Sequence, residues 1–261
     1  MKARQVLDAL EQYAPLPLQD SFDNAGLQIG LTEEQEVTGA LLCLDVTEAV
    51  VDEALQKGCN LIIAHHPLLF HGLKSITGKS YVERCVIKAI QHGVGIYAAH
   101  TNMDNAVGGV NYRIAERIGL EDLSFLDAKS LSVPAGSGVI GDLPVSEDVE
   151  SFLRRLKSLF GIRSIRFNNF NRREVRRIAL CGGAGGFLLS KAIEAGADAF
   201  LTGEMRYHDY FGHDDELLIA EMGHYESEQY TCDIFEEVLK AQFPELKIVK
   251  TSLNTNPINY L

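Results

Sequence analysis

The sequence predicts an α/β protein built from two related lobes, each with a largely parallel or mixed sheet. Two observations predict it. Residues 39–44 and 60–64 are continuous apolar runs flanking a helical stretch, the order of a βαβ unit with parallel strands. The same order returns over 178–202, and at an offset of 138 residues the two segments align without a gap. Cys43 then meets Cys181, Ala54 meets Ala192, Gly58 meets Gly196 and Asn60 meets Asp198. A duplicated unit explains this match, with expected lobes at 1–125 and 126–261 and a candidate metal site at strand ends between them.

The elements follow in order. Val6, Leu7, Leu10 and Tyr13 share one face of an opening helix over 1–13, which Pro15 and Pro17 end. Residues 20–30 read as a loop. After the strand at 39–44, Thr47 can cap a helix over 48–57 with Glu48 in its first turn, and Gly58 stops it. In the second lobe a helix over 187–195 stops at Gly196, and 198–202 is the next strand. Further sheet and helix are expected at 138–143, 147–159 and 164–167, and a last helix over 225–242.

Composition narrows the function classes. The chain has 261 residues, 46% hydrophobic, enough to bury a large core without metal or disulfide. No apolar run approaches the ~18–20 residues of a membrane span. The N-terminal stretch is amphipathic, unlike the apolar core of a signal peptide. The five cysteines form no C-x-x-C pair, which argues against a disulfide framework or thiolate zinc ribbon and suits a reducing cytoplasm. A net charge of −12 disfavours nucleic acid as partner, though it leaves it open. The charge is uneven: 154–177 carries nine bases against Glu174, so that window is +8 and the rest −20. It reads either as a solvated face or as a local anion site.

Parallel strands build sites at their ends, and three polar clusters lie there. His65-His66-Pro67 follows one apolar strand. Adjacent side chains in a strand face opposite ways, so both histidines serve one site only where the strand has ended. Asp104 and His100 follow a second strand, the carboxylate as a ligand and the imidazole as a ligand, an orienting group or a proton carrier. His224 and Glu228 follow a third, four residues apart on one helical face. Each cluster alone has a plain structural reading. Together, His65, His66, Asp104, His224 and Glu228 make five ligands, too many for one tetrahedral ion and suited to two ions sharing a carboxylate. Glu204, aligned with His66, is a candidate base or orienting group, and Asp45 either that or a turn residue. The turn at 182–186 precedes a helix, so the N–H groups of Gly183, Ala184 and Gly185 are candidate phosphate donors; close packing is the alternative. His71, His208 and His213 read as solvent-facing. These features point to a metal-dependent hydrolase, with a metal-binding adaptor and a metal-stabilised scaffold as alternatives.

The residues 24–28 (NAGLQ), 64–67 (AHHP), 100–104 (HTNMD), 182–185 (GGAG), 202–204 (TGE) and 223–228 (GHYESE) occur in the order found in the NIF-three-like family, which the chain resembles over nearly its whole length. Bacterial members are often labelled GTP cyclohydrolase 1 type 2 homologues. The resemblance is to the short members, without the domain that longer ones insert. It implies two divalent ions per chain, zinc or iron. His66 and Asp104 would hold one, His65 and His224 the other, and Glu228 would bridge them. It also implies a ring-shaped homohexamer and a small, nucleotide-like substrate, with opening of a guanine nucleotide ring suggested by the label.

Overall fold

The computed structural model describes residues 1–30, 34–129 and 132–261. The chain forms two compact units. The first comprises Met1–Met103 with Thr231–Pro257, the second Asp104–Tyr230 with Ile258–Leu261.

In the first unit the helices are α1 (Ala3–Tyr13), α2 (Glu48–Gln56), α3 (Tyr81–Gln91) and α9 (Thr231–Gln242). Its strands are β1 (Gly26–Ile29), β2 (Ala40–Cys43), β3 (Leu61–Ala64), β4 (Gly95–Ala98) and β11 (Ile248–Lys250). They form one sheet in the order β1-β4-β3-β2-β11. Every neighbouring pair is parallel except β1 with β4. Thr47 caps α2 as expected, its hydroxyl accepting from Val50 N at 3.3 Å. Alternate strand residues Leu41, Cys43, Ile62, Ala64 and Ile96 pack with Val50, Val51 and Ala54 of α2 and with Cys85, Val86 and Ala89 of α3. Leu42, Ile63 and Tyr97 are buried as well. Both faces of these strands are therefore covered, which is why they read as unbroken apolar runs.

In the second unit, the short α4 (Thr101–Asp104) ends at Asp104, and α5 (Val110–Ile118), α6 (Val149–Phe160), α7 (Leu189–Glu194) and α8 (His224–Glu228) follow. The strands are β5 (Glu121–Ala128), β6 (Gly136–Asp148), β7 (Arg166–Phe167), β8 (Glu174–Cys181), β9 (Ala199–Thr202) and β10 (Leu218–Glu221). They pair in the order β5-β6-β8-β9-β10-β7. The β8–β9 and β9–β10 pairs are parallel and the others antiparallel. Ala179, Cys181, Phe200 and Ile219 pack with Leu188 and Ala192.

The expected repeat holds at the level of register. In one sheet Ala40 pairs with Leu61 and Cys43 with Ala64. In the other, Ile178 pairs with Ala199 and Cys181 with Thr202, each 138 residues on. The turn contacts repeat too. Asn60 Oδ1 accepts Thr38 N at 2.8 Å, and Asp198 Oδ2 accepts Arg176 N at 3.0 Å.

Several sequence expectations change. The lobe boundary expected at 125/126 falls inside β5, and 231–257 belong to the first unit, because β11 pairs with β2 and α9 packs against α1. Residues 26–29 of the expected loop form β1, pairing antiparallel to β4 at Gly26↔Ala98. The expected 187–195 helix begins as a 3-10 turn at Gly185–Leu188 before α7. The helix expected over 225–242 is two helices broken at Gln229–Tyr230, where Gln229 Nε2 donates to Phe160 O and Tyr230 Oη to Leu159 O.

Candidate metal centre

In the first unit, β3 ends at Ala64 and two further backbone bonds carry the chain past it: His65 N to Cys43 O (3.2 Å) and His66 N to Leu44 O (2.9 Å). His100 lies just beyond β4. The imidazoles of His65, His66 and His100 form a triangle with centroids 4.8, 5.2 and 5.4 Å apart. One ring nitrogen from each lies within 4.8 Å of the others. Phe70 meets His100 edge-on at 6.1 Å.

Each imidazole is anchored through Nδ1. His65 Nδ1 donates to Ala99 O (2.9 Å), His66 Nδ1 to Asp45 Oδ1 (2.7 Å) and His100 Nδ1 to Asp23 Oδ1 (2.8 Å). Because every acceptor is a carbonyl or carboxylate oxygen, Nδ1 carries the proton. Nε2 is then the nitrogen that would coordinate a metal, the usual division of labour for a ligating histidine. Burial works against the charge on Asp23, but hydrogen bonds from His100 and Thr101 outweigh it and hold its pKa at about 2. Asp45 is also held below the usual range: burial opposes its charge, and bonds from His66 and Thr255 favour it more strongly.

In the second unit, His224 opens α8 after Gly223, whose φ of +94° suits glycine. His224 Nδ1 donates to Glu204 Oε1 (2.7 Å), and Nε2 lies 3.1 Å from Oε2 of the buried Glu228. The helical spacing therefore brings these two expected ligands together. Asp104 ends α4, and its carbonyl accepts from Asn111 Nδ2 (3.1 Å). Asn111 Oδ1 accepts Gly182 N (2.9 Å), so one buried amide joins Asp104 to the glycine turn.

That turn has a different use from the one expected. Gly183 N donates to Ser227 Oγ and Gly185 N to Thr202 Oγ1, both at 3.0 Å, so two of the three expected phosphate donors are committed inside the unit. A Cβ on Gly183 would overlap Glu228 Oε1 and lie 3.3 Å from His224 Nε2. The turn makes room for the candidate ligands. His100 and Glu204, expected as proton carriers, stand respectively within the histidine triangle and as the acceptor for His224. His71 and His208 are exposed as expected, whereas His213 is half-buried and 3.1 Å from Glu216. Sequence reasoning missed Asp23, Asn111 and Thr255. Asp23 lies in the loop beside Asn24, but its pairing with His100 spans 77 residues and has no local signal.

The donor chemistry fits first-row divalent cations: imidazole Nε2 groups with Nδ1 anchored, and a buried carboxylate beside one of them. A family model, Duf34/NIF3 (NGG1p interacting factor 3), matches residues 1–257. The chain belongs to this family. Among its relatives, a GTP cyclohydrolase 1 type 2 homolog of Clostridium perfringens is 33% identical over 229 residues, covering 87% of each chain. One of Lactococcus lactis is 33% identical over 263 residues, covering 98% of each. The crystal structure of Staphylococcus aureus hypothetical protein SA1388 superposes with a TM-score of 0.91 at 29% identity, covering 100% of this chain and 99% of that one. The family model spans all five expected ligands, which lie between residues 65 and 228. No helix among the described residues is long and apolar enough to cross a membrane.

Proposed function

We propose that this DUF34/NIF3 protein is a metal-dependent hydrolase that holds two divalent cations, zinc or iron, and acts on a small nucleotide-like or phosphate-containing substrate. His66 and Asp104 would hold one ion, His65 and His224 the other, with Glu228 shared. The observation that carries the reading is the matching anchorage of four histidines, His65, His66, His100 and His224, each through Nδ1 to an oxygen acceptor. Core packing does not require that arrangement, whereas ligation does. A bound cation pair would lower the pKa of water towards neutrality and supply hydroxide. His100, fixed by Asp23, offers Nε2 to take or give a proton. Exposed Glu204 orients His224, a role its bond supports better than that of a general base. The name of the curated relatives makes guanine nucleotides the first substrates to test.

The alternative reading as an adaptor depends on the basic segment 154–177. Five of its nine bases are ion-paired within the second unit: Arg154 with Glu150, Arg155 with Glu147, Arg166 with Glu221, Arg172 with Asp198 and Arg177 with Asp142. That pairing favours a solvated face. A homohexamer remains part of the proposal, on resemblance, and a monomer by light scattering would remove it.

Elemental mass spectrometry of untagged protein purified without chelator tests the centre. About two ions per chain are expected, lost in His66→Ala and Glu228→Ala. Protein that neither carries nor takes up metal, or hydrolysis that persists after metal removal, would overturn the reading.

A further inference from the structure

Residues 251–255, the segment after β11, are tied to the first unit at successive points. Thr251 N extends the β11–β2 pairing by donating to Leu42 O (2.8 Å). The next anchor is Glu53, a buried carboxylate on α2. Its Oε1 accepts Ser252 N (3.0 Å) and Ser252 Oγ (2.8 Å), and its Oε2 accepts Thr251 Oγ1. A buried carboxylate is costly unless its lone pairs are filled, so these bonds hold residues 251–252 to one path. Asn254 Oδ1 then accepts Asn256 N (2.9 Å), turning the backbone around Thr255.

Thr255 Oγ1 donates to Asp45 Oδ2 at 2.6 Å, across 210 residues. The other oxygen of Asp45 accepts His66 Nδ1 at 2.7 Å. We infer that Thr255 is a positioning residue for the metal centre: it fixes the Asp45 carboxylate, and through it the tautomer and ring orientation in which His66 presents Nε2. The inference rests on the metal-binding reading of His66. Its physical basis is that χ2 of an aspartate is a broad, soft torsion. One hydrogen bond leaves the carboxylate able to swing, and a second on the other oxygen stops it. The Asp23–His100 pair is built the same way, with Thr101 Oγ1 and Thr101 N on Asp23 Oδ2. There the hydroxyl comes from the adjacent residue. For His66 it comes from the segment after β11, so docking of residues 251–255 becomes a condition for a well-formed ligand.

The test uses the full chain with Thr255→Val, which keeps the shape and deletes the donor, and Thr255→Ser, which keeps the hydroxyl. Zinc affinity is read by competition with a chromophoric chelator. The His66 tautomer is read on metal-free protein by long-range proton–nitrogen NMR, and thermal denaturation checks folding. Outer contacts to ligating histidines are worth about 10–100-fold in affinity, and a group one bond further out belongs at the low end. Thr255→Val is therefore expected to bind zinc about tenfold more weakly and to gain the Nε2–H tautomer, with Thr255→Ser like wild type. Unchanged zinc affinity in Thr255→Val overturns the inference, and so does an equal loss in both variants. If wild type takes up no zinc, the functional reading falls; an unshifted tautomer in Thr255→Val would then overturn the coupling as well.

Discussion

The two sheets share a plan and differ where the plan ends. Each has an antiparallel edge strand, β1 or β7, followed by three parallel strands in the same order, β4-β3-β2 or β10-β9-β8. Two positions beyond β2 stands Asp45, which orients His66; two beyond β8 stands Gly183, which makes room for Glu228. Two positions beyond β3 stands the imidazole of His66; two beyond β9 stands Glu204, which orients the imidazole of His224. Between the repeats the imidazole of His66 is thus replaced by the carboxylate of Glu204, and the carboxylate of Asp45 by the bare backbone of Gly183, while the strands beneath kept their register. Core and site separate cleanly: pairing and burial constrain the strands, and chemistry constrains the first residues after them.

The largest test of this separation lies in the core. Ile62 and Phe200 occupy equivalent positions, each fully buried in its cluster. Truncating a buried Phe to Ala costs ~3–5 kcal/mol, and Ile to Ala ~2–5 kcal/mol. Phe200→Ala and Ile62→Ala should each lower the chemical-denaturation midpoint, Phe200→Ala at least as much, with metal stoichiometry kept under native conditions. Loss of metal from a still-folded Ile62→Ala variant would show that core and site are not separable.

The shared plan was legible in the sequence because its signals are local. Unbroken apolar runs, the Thr47 cap and Gly58 and Gly196 at helix ends each act within a few residues, and the 138-residue offset exposed the repeat. Strand-end histidines were legible for the same reason, and so was the His224–Glu228 spacing. The edge strands were not. β1 is four residues long with Leu27 and Gln28 only partly covered, and its partner β4 is about 70 positions away. Nor was the layer behind the ligands, since Asp23, Asn111 and Thr255 act across 77, 71 and 210 residues. Pairwise polar contacts of that range leave no periodicity to read.

A mid-sized effect sharpens the contrast between the equivalent positions Gly183 and Asp45. Gly183 has a φ of +57°, where an L-residue costs about 1–2 kcal/mol, and its Cβ would also strike Glu228. Gly183→Ala is expected to destabilise by ~2 kcal/mol and to displace Glu228, reducing metal uptake. Asp45→Ala should act differently, weakening metal binding by about 10–100-fold with a smaller change in stability. Equal stability losses in the two variants would erase the contrast.

The smallest expected effect separates the two carboxylate–histidine pairs of the first unit from the exposed Glu204–His224 pair of the second. Asp23 has a folded pKa of about 2 against an ordinary 3.8. The folded state therefore binds its proton more weakly than the unfolded chain does. The stabilisation from Asp23 is full above the ordinary value and is lost as pH falls from about 4 towards 2. It is worth on the order of 1–2 kcal/mol. Asp23→Asn should thus flatten the acid limb of the stability curve between pH 4 and pH 2, a change visible in urea midpoints taken at half-unit steps. Glu204→Gln, at an exposed carboxylate, should leave that limb as it is. If Asp23→Asn and wild type lose stability in parallel over this range, the bonds from His100 and Thr101 do not hold the carboxylate as described, and His100 loses its argued anchor.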